Sequence, residues 1–232
     1  MAVVKTQKEI SLLKRAAKAG TAVFEQILPQ VKVGVTELFI AKQMEEIAES
    51  LQDYGVYGGL SFTPIIASGP NGAEPHAVPS DRVFESGDLI TIDFGVIIDG
   101  YCSDMTRTFM LGDATDKQRE IYSSVLRAQE AGISAARPGI KCMELDRVCR
   151  SLIEADGYGE YFIHTTGHGI GTEVHEDPRV GKESETILEV GMAITIEPGI
   201  YINGWGGVRI EDTVIITEDG CEIITDGISK NM

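Results

Sequence analysis

The sequence predicts an α+β chain built from two similar halves, each a pair of helices followed by antiparallel strands. Three observations carry this. Apolar residues recur at helical spacing twice near the N-terminus and twice again after Gly112. An Asp99-Gly100 turn separates two apolar runs, which is the pattern of a hairpin. The second helix pair also repeats the first in sequence, GVTELFIAKQMEEIAES (34–50) against GIKCMELDRVCRSLIEA (139–155).

Taken in order, residues 7–28 carry Ile10, Leu13, Ala17, Val23, Phe24, Ile27 and Leu28 on one helical stripe, and Pro29 with VKVG ends it. Thr36 is the natural N-cap of a second helix running to about Leu51, with Leu38, Ile40, Met44, Ile47 and Leu51 apolar. Residues 52–88 are rich in Gly, Pro and Ser and predict short strands with long functional loops. Residues 89–98 and 101–110 predict two strands. Helices follow at 116–136 and about 142–155, separated by Pro138-Gly139. A displacement of 105 residues matches Gly34 with Gly139, Ile40 with Leu145, Met44 with Cys149 and Ile47 with Leu152. RAAKAG (15–20) likewise matches RAQEAG (127–132). No linker or low-complexity tract separates the halves, about 1–112 and 113–228, so a single domain over 1–232 is expected. Its strands should join into one sheet with a site at the seam.

Composition narrows the partners. The net charge of −16 argues against nucleic acid and anionic membranes. No run of about 18 apolar residues is present, so no membrane span is expected. The N-terminal stretch MAVVKTQKEISLLKRAAKAG has no apolar signal core, which points to a cytoplasmic protein. Cys102, Cys142, Cys149 and Cys221 form no CxxC pair, so buried reduced thiols are expected rather than a cysteine zinc site.

Asp93, Asp104, His168, Glu197 and Glu211 stand in apolar or glycine-rich segments: ITIDFG, CSDMTR, TGHGIG, ITIEPG and VRIEDT. A carboxylate in an apolar strand is costly unless a positive charge compensates it. With 20 Lys and Arg against 36 Asp and Glu, protein cations are scarce. Two divalent ions would balance four carboxylates, formally about +4 against about −4, with one neutral imidazole. The hairpin register supports a shared site. If Ile98 faces Tyr101, Asp93 faces Thr106, and Asp104 lies two positions along on the same face. Such diagonal neighbours are about 7–8 Å apart and repel without a cation. Mostly oxygen donors with one imidazole suit Mn²⁺, Co²⁺, Fe²⁺ or Zn²⁺. A carboxylate-bridged pair of ions is a hydrolytic arrangement, with water or hydroxide between the ions as nucleophile.

These motifs, extended to IDFGVIIDGYCSDMTRTF, HTTGHGIGTEVHEDP, ITIEPGIYI and GGVRIEDTVIIT, resemble the catalytic domain of the pita-bread metallopeptidases. That family includes methionine aminopeptidase, aminopeptidase P and prolidase. The resemblance runs from KTQKEISLLKRA to the C-terminus and fills all five ligand positions in order. It implies a pita-bread fold of two pseudo-symmetric halves with a curved antiparallel sheet and a dinuclear metal site at the seam. Asp93 would ligate one metal, His168 and Glu197 the other, and Asp104 and Glu211 would bridge. The run EPGIYINGWGGVRIEDTV, with His164 and Pro75-His76, is similar to the proline-specific branch.

The implied reaction is hydrolysis of the N-terminal Xaa-Pro bond of a peptide by a hydroxide bridging two divalent ions, with Mn²⁺ as first choice. Glu197 would shuttle the proton. His175 would stabilise the oxyanion with His76 beside it, and His164 and Tyr201 would join them in binding substrate. Arg209 would orient a ligand carboxylate. A methionine aminopeptidase-like enzyme and a non-catalytic peptide-binding scaffold are the alternatives. Aminopeptidase P and prolidase usually carry a further N-terminal domain; this chain starts where that domain would hand over, so its absence is expected, and a homodimer is left open.

Overall fold

The computed structural model describes residues 3–230. Four helices form where apolar spacing and caps coincide. Helix α1 (Gln7–Ile27) begins at Thr6, whose side chain accepts from Glu9 N while Glu9 reaches back to the Thr6 backbone, a reciprocal capping box. A short 3₁₀ turn, Leu28–Gln30, then absorbs Pro29. Helix α2 (Glu37–Glu49) starts at Thr36, which accepts from Phe39 N at 3.1 Å. Helix α3 (Asp116–Ala135) repeats the capping box with Thr115 and Gln118, and α4 (Cys142–Ala155) follows. The two pairs are built alike. Gly34 and Gly139 take φ of 92° and 88° ahead of α2 and α4. Thr36 bridges Val83 as Lys141 bridges Ile187.

The strands are β1 (Tyr57–Leu60), β2 (Ile65–Ser68), β3 (Leu89–Phe94), β4 (Val96–Ile98), β5 (Tyr101–Cys102) and β6 (Met105–Met110) in the first half. The second half adds β7 (Gly167–Gly169), β8 (Glu176–Val180), β9 (Ala193–Ile196), β10 (Gly199–Ile202), β11 (Gly206–Arg209), β12 (Asp212–Ile216) and β13 (Cys221–Ile223). All named pairings are antiparallel. The strands form separate ladders rather than one continuous sheet, ordered β2-β3-β6, β1-β4-β5, β13-β12-β9-β7-β8 and β10-β11. The two ladders that matter most meet where β6 passes the β11–β12 junction, through Glu211 N to Thr106 O (3.1 Å) and threonine hydroxyls.

Alternation sorts the faces. On β3, Ile90, Ile92 and Phe94 pack beneath α1 and α2 with Phe24 and Met44, while Thr91 and Asp93 take the opposite face. On β9, Ile194 and Ile196 pack with Val125, Leu145 and Cys149 of α3 and α4, and Thr195 lies on the other face with Glu197 just past the strand end. Each helix layer thus covers one face and leaves the other for polar side chains.

The hairpin register is Ile98 opposite Tyr101 and Asp93 opposite Thr106, across a turn with φ of 50° at Asp99 and 80° at Gly100. Its arms are each broken once, where the sequence predicted continuous strands. The cause is a close backbone approach: a Cβ on Gly95 would lie 1.6 Å from Ser103 O. Only glycine fits there, the ladder bends, and Asp104 falls in the gap between β5 and β6. Gly167 has the same office beside His168, since a Cβ there would lie 1.9 Å from Thr195 O. Gly95→Ala should therefore destabilise by about 1–3 kcal/mol through overpacking, a fall in melting temperature of about 2–12 °C for a chain of this size. Thermal unfolding checks it.

Candidate metal centre and active-site cavity

Asp93 ends the polar face of β3, Asp104 fills the hairpin gap, His168 centres β7, Glu197 follows β9, and Glu211 occupies the break between β11 and β12. The structure brings all five to one cavity of about 1920 Å³. One donor atom each from Asp104, His168 and Glu211 lies within 4.8 Å of the others. His168 Nε2 is 3.1 Å from Glu197 Oε1 and 3.6 Å from Asp104 Oδ2.

Three of the four carboxylates, those of Asp93, Glu197 and Glu211, are held through one oxygen. Arg209 donates to Asp93 Oδ2 at 2.6 Å, and Thr106 donates to Glu211 Oε2 at 2.6 Å. Thr195 donates to Glu197 Oε1 at 2.9 Å and accepts from His168 N at 3.0 Å. The opposite oxygens are a different matter. Asp93 Oδ1, Asp104 Oδ1 and Glu211 Oε1 are buried with no hydrogen-bond partner among the described residues. An unsatisfied buried oxygen is expensive, and three in one place point to a missing positive centre. His168 is oriented for the same purpose. Its Nδ1 lies 3.0 Å from the Gly169 carbonyl and donates there, which turns Nε2 toward the carboxylates. This donor set fits divalent cations.

The charges agree. Burial, reinforced by neighbouring carboxylates, pushes the Asp104 and Glu211 carboxyls well above the usual range. Asp93 is raised by burial too, with Arg209 opposing. Burial works against charge on Glu197 and His168, yet their mutual contact prevails: Glu197 is brought down to about 2 and His168 is raised. Without metal, the site therefore stores protons on carboxylates.

Behind these side chains lies a supporting layer. Arg209 is 3% exposed and donates from Nε to Thr106 Oγ1 at 3.1 Å and from a terminal nitrogen to the Tyr201 hydroxyl at 2.8 Å. That hydroxyl lies 2.9 Å from His164 Nε2, and His164 Nδ1 lies 2.7 Å from Thr165 O. Tyr201 is thus buried beside the cavity, with its hydroxyl taken up by Arg209 and His164. Its ring lies beside the Arg209 guanidinium, 5.9 Å from ring centroid to the central carbon. His76, His164 and His175 do line the cavity, with His76 and His175 exposed at its wall. The rings of His175 and His168 are 4.3 Å apart.

Sequence reasoning missed Thr106 and Thr195, which fix Glu211 and Glu197. It also missed Asp146 and Arg150. Arg150 donates to the Phe162 and His164 carbonyls at 2.8 Å and pairs with Asp146, which accepts from Thr166 N. Arg107 was missed as well; it donates to Asp212 Oδ1 at 2.8 Å directly behind Glu211. The available signal was threonine and charge at alternate positions of otherwise apolar strands.

Carboxyls with raised folded pKa stabilise the metal-free protein below their unfolded pKa, and that stability is lost as pH rises through the folded value. Asp104, Glu211, Asp93 and the raised His168 all act in this direction. A cation removes the need for those protons. The melting-temperature gap between Mn²⁺-loaded and EDTA-treated protein should therefore widen from pH 5 to pH 8, as calorimetry at both limits would record.

A model of metallopeptidase family M24 matches residues 11–218. An Xaa-Pro dipeptidase of Pyrococcus furiosus is 44% identical over 226 residues, 96% of this chain and 63% of its own length. Among solved structures, an Xaa-Pro dipeptidase from Bacillus anthracis superposes with a TM-score of 0.95 at 46% identity, covering 99% of this chain and 63% of the other. An X-Pro aminopeptidase from Thermotoga maritima gives 0.93 at 40% identity, covering 99% and 64%. The chain spans 62–63% of the length of its curated relatives. The match runs through every element that carries the cavity, and the fold is the pita-bread fold. The chain belongs to metallopeptidase family M24.

Proposed function

We propose that this chain carries the catalytic machinery of a metal-dependent peptidase that hydrolyses the bond between an N-terminal residue and a following proline. The observation that carries the reading is the set of three partnerless carboxylate oxygens gathered with His168 Nε2 in one cavity. The relatives named Xaa-Pro dipeptidase and X-Pro aminopeptidase supply the substrate class. Asp93, Asp104, His168, Glu197 and Glu211 are the ligands of two divalent ions, with Mn²⁺ favoured by the oxygen-rich donor set and Co²⁺, Zn²⁺ or Fe²⁺ as alternatives. When bound, such ions supply Lewis-acid polarisation of the scissile carbonyl and acidify water.

The chain's own residues do the rest. Glu197, held at Oε1 by Thr195 and His168, keeps its other oxygen for proton exchange, first with the attacking water and then with the leaving imino nitrogen. His175 and His76 stand at the exposed cavity wall, where an N–H can meet the developing oxyanion. Burial keeps His164 neutral, and both its nitrogens are taken by Tyr201 and Thr165. It therefore offers the proline-side residue a flat ring surface. Arg209 fixes Asp93 and, through Tyr201, fixes His164 as well. Neither alternative gains support: no relative named above is a methionine aminopeptidase, and a scaffold has no need of buried bare carboxylates.

No helix among the described residues is long and apolar enough to cross a membrane. All four cysteines are free and three are buried, which suits a reducing compartment such as the cytoplasm. Turnover of Ala-Pro-Ala by Mn²⁺-reconstituted protein tests the reading. Glu197→Gln should lower kcat by about 10²–10⁴-fold, the usual worth of a positioned proton shuttle. Faster turnover of Met-Ala-Ser than of Ala-Pro-Ala would overturn the proline assignment.

A further inference from the structure

His175 lies in the loop 170–175 between β7 and β8, and no side-chain hydrogen bond to another described residue fixes its ring. Its ring contact is an edge-on approach to His168 at 4.3 Å between centroids. The loop backbone must therefore set where His175 stands. One carboxylate gathers that backbone. Glu176 Oε1 accepts from Thr172 N at 2.9 Å and Glu173 N at 3.2 Å. Its Oε2 accepts from Lys5 Nζ at 2.5 Å. Gly171 makes the space, since a Cβ there would lie 2.4 Å from Glu176 Oε1.

Lys5 is buried and Glu176 half-buried, with side-chain exposures of 4% and 9%. A buried ion pair differs from a surface one: removing one partner strands the other charge away from water. Lys5 also comes from far along the chain. Its segment is pinned beside β9, where Val4 bridges Met192 and Lys5 N donates to Gly191 O at 2.9 Å. Val3 and Glu176 both border the active-site cavity. The N-terminal segment is thus a strap along the cavity edge whose one buried cation reaches the loop that carries His175.

We propose that Lys5 is a positioning residue for His175: through Glu176 it holds the 170–175 loop so that the imidazole stays at the cavity wall. This rests on the oxyanion role given to His175 above.

The test uses the full Mn²⁺-loaded chain. Lys5→Met should lower kcat on Ala-Pro-Ala by about ten- to a hundredfold, part of the worth of an oxyanion donor, with KM changed less than about twofold. Lys5→Arg, which keeps a buried cation, should recover kcat to within about threefold. In a His175→Ala background, Lys5→Met should cost less than about twofold more, because both changes remove one function. An equal loss in that background, or an unchanged kcat, would overturn the proposal and leave Lys5 a plain anchor. Hydrogen exchange of the Thr172 and Glu173 amides separates the clamp from the chemistry. It should quicken in Lys5→Met whichever peptide the enzyme cleaves, and unaltered exchange would refute the clamp even if wild type proves inactive on Xaa-Pro peptides. Glu176→Gln is the second variant should Lys5→Met fail to fold.

Discussion

The structure is organised around an electrostatic debt: four carboxylates, three of them buried, converge on one cavity, and one arginine touches them. Asp93, Asp104 and Glu211 are buried, and Arg209 reaches only Asp93. Arg107, the other buried guanidinium nearby, is turned away and neutralises Asp212 instead. Left alone, such a cluster holds protons or comes apart. Divalent cations would resolve it, and the polar features of the cavity suit that outcome: the threonines that hold one oxygen each of Glu197 and Glu211, the orientation of His168, and the glycines at positions 95 and 167.

The fold makes this concentration of charge tolerable by dividing labour between faces. Helices α1 and α2 seal the apolar side of β3, and α3 and α4 seal that of β9. The opposite faces, freed from core packing, carry Thr91, Asp93, Thr106, Thr108, Thr195 and Glu197. Equivalent devices recur in both halves. A strand alternates apolar and polar residues and ends in a carboxylate, and a glycine permits a backbone approach that no other residue would allow. Neither half could build the site alone, because Asp93 and Asp104 come from one and His168, Glu197 and Glu211 from the other.

Much of this was legible in the sequence because it depends on local pattern. Helical periodicity placed α1 to α4 within two residues, and the Asp99-Gly100 turn fixed the register that puts Asp93 opposite Thr106. The carboxylates stood out because charge inside apolar strands needs a reason. What stayed hidden depends on contacts far apart in the chain. The Tyr201 hydroxyl joins Arg209 to His164, a geometry that no spacing encodes. The strand break at Gly95 follows from how closely Ser103 approaches. The Lys5–Glu176 pair joins residues 171 apart, and a lone lysine near a terminus gives no sign of burial. Expectation of one continuous sheet also yielded to separate ladders, because side-chain hydroxyls rather than a full backbone ladder join β6 to the β11–β12 junction.

The central claim is that cations, not protons, satisfy the partnerless oxygens of Asp93, Asp104 and Glu211. Calorimetric titration of Mn²⁺ into EDTA-stripped protein at neutral pH tests it directly, with Asp104→Asn as the comparison. The expected result is two ions bound per chain with release of protons to the buffer, and loss of at least one ion in the variant. Binding of no metal, or equal binding by wild type and Asp104→Asn, would contradict it.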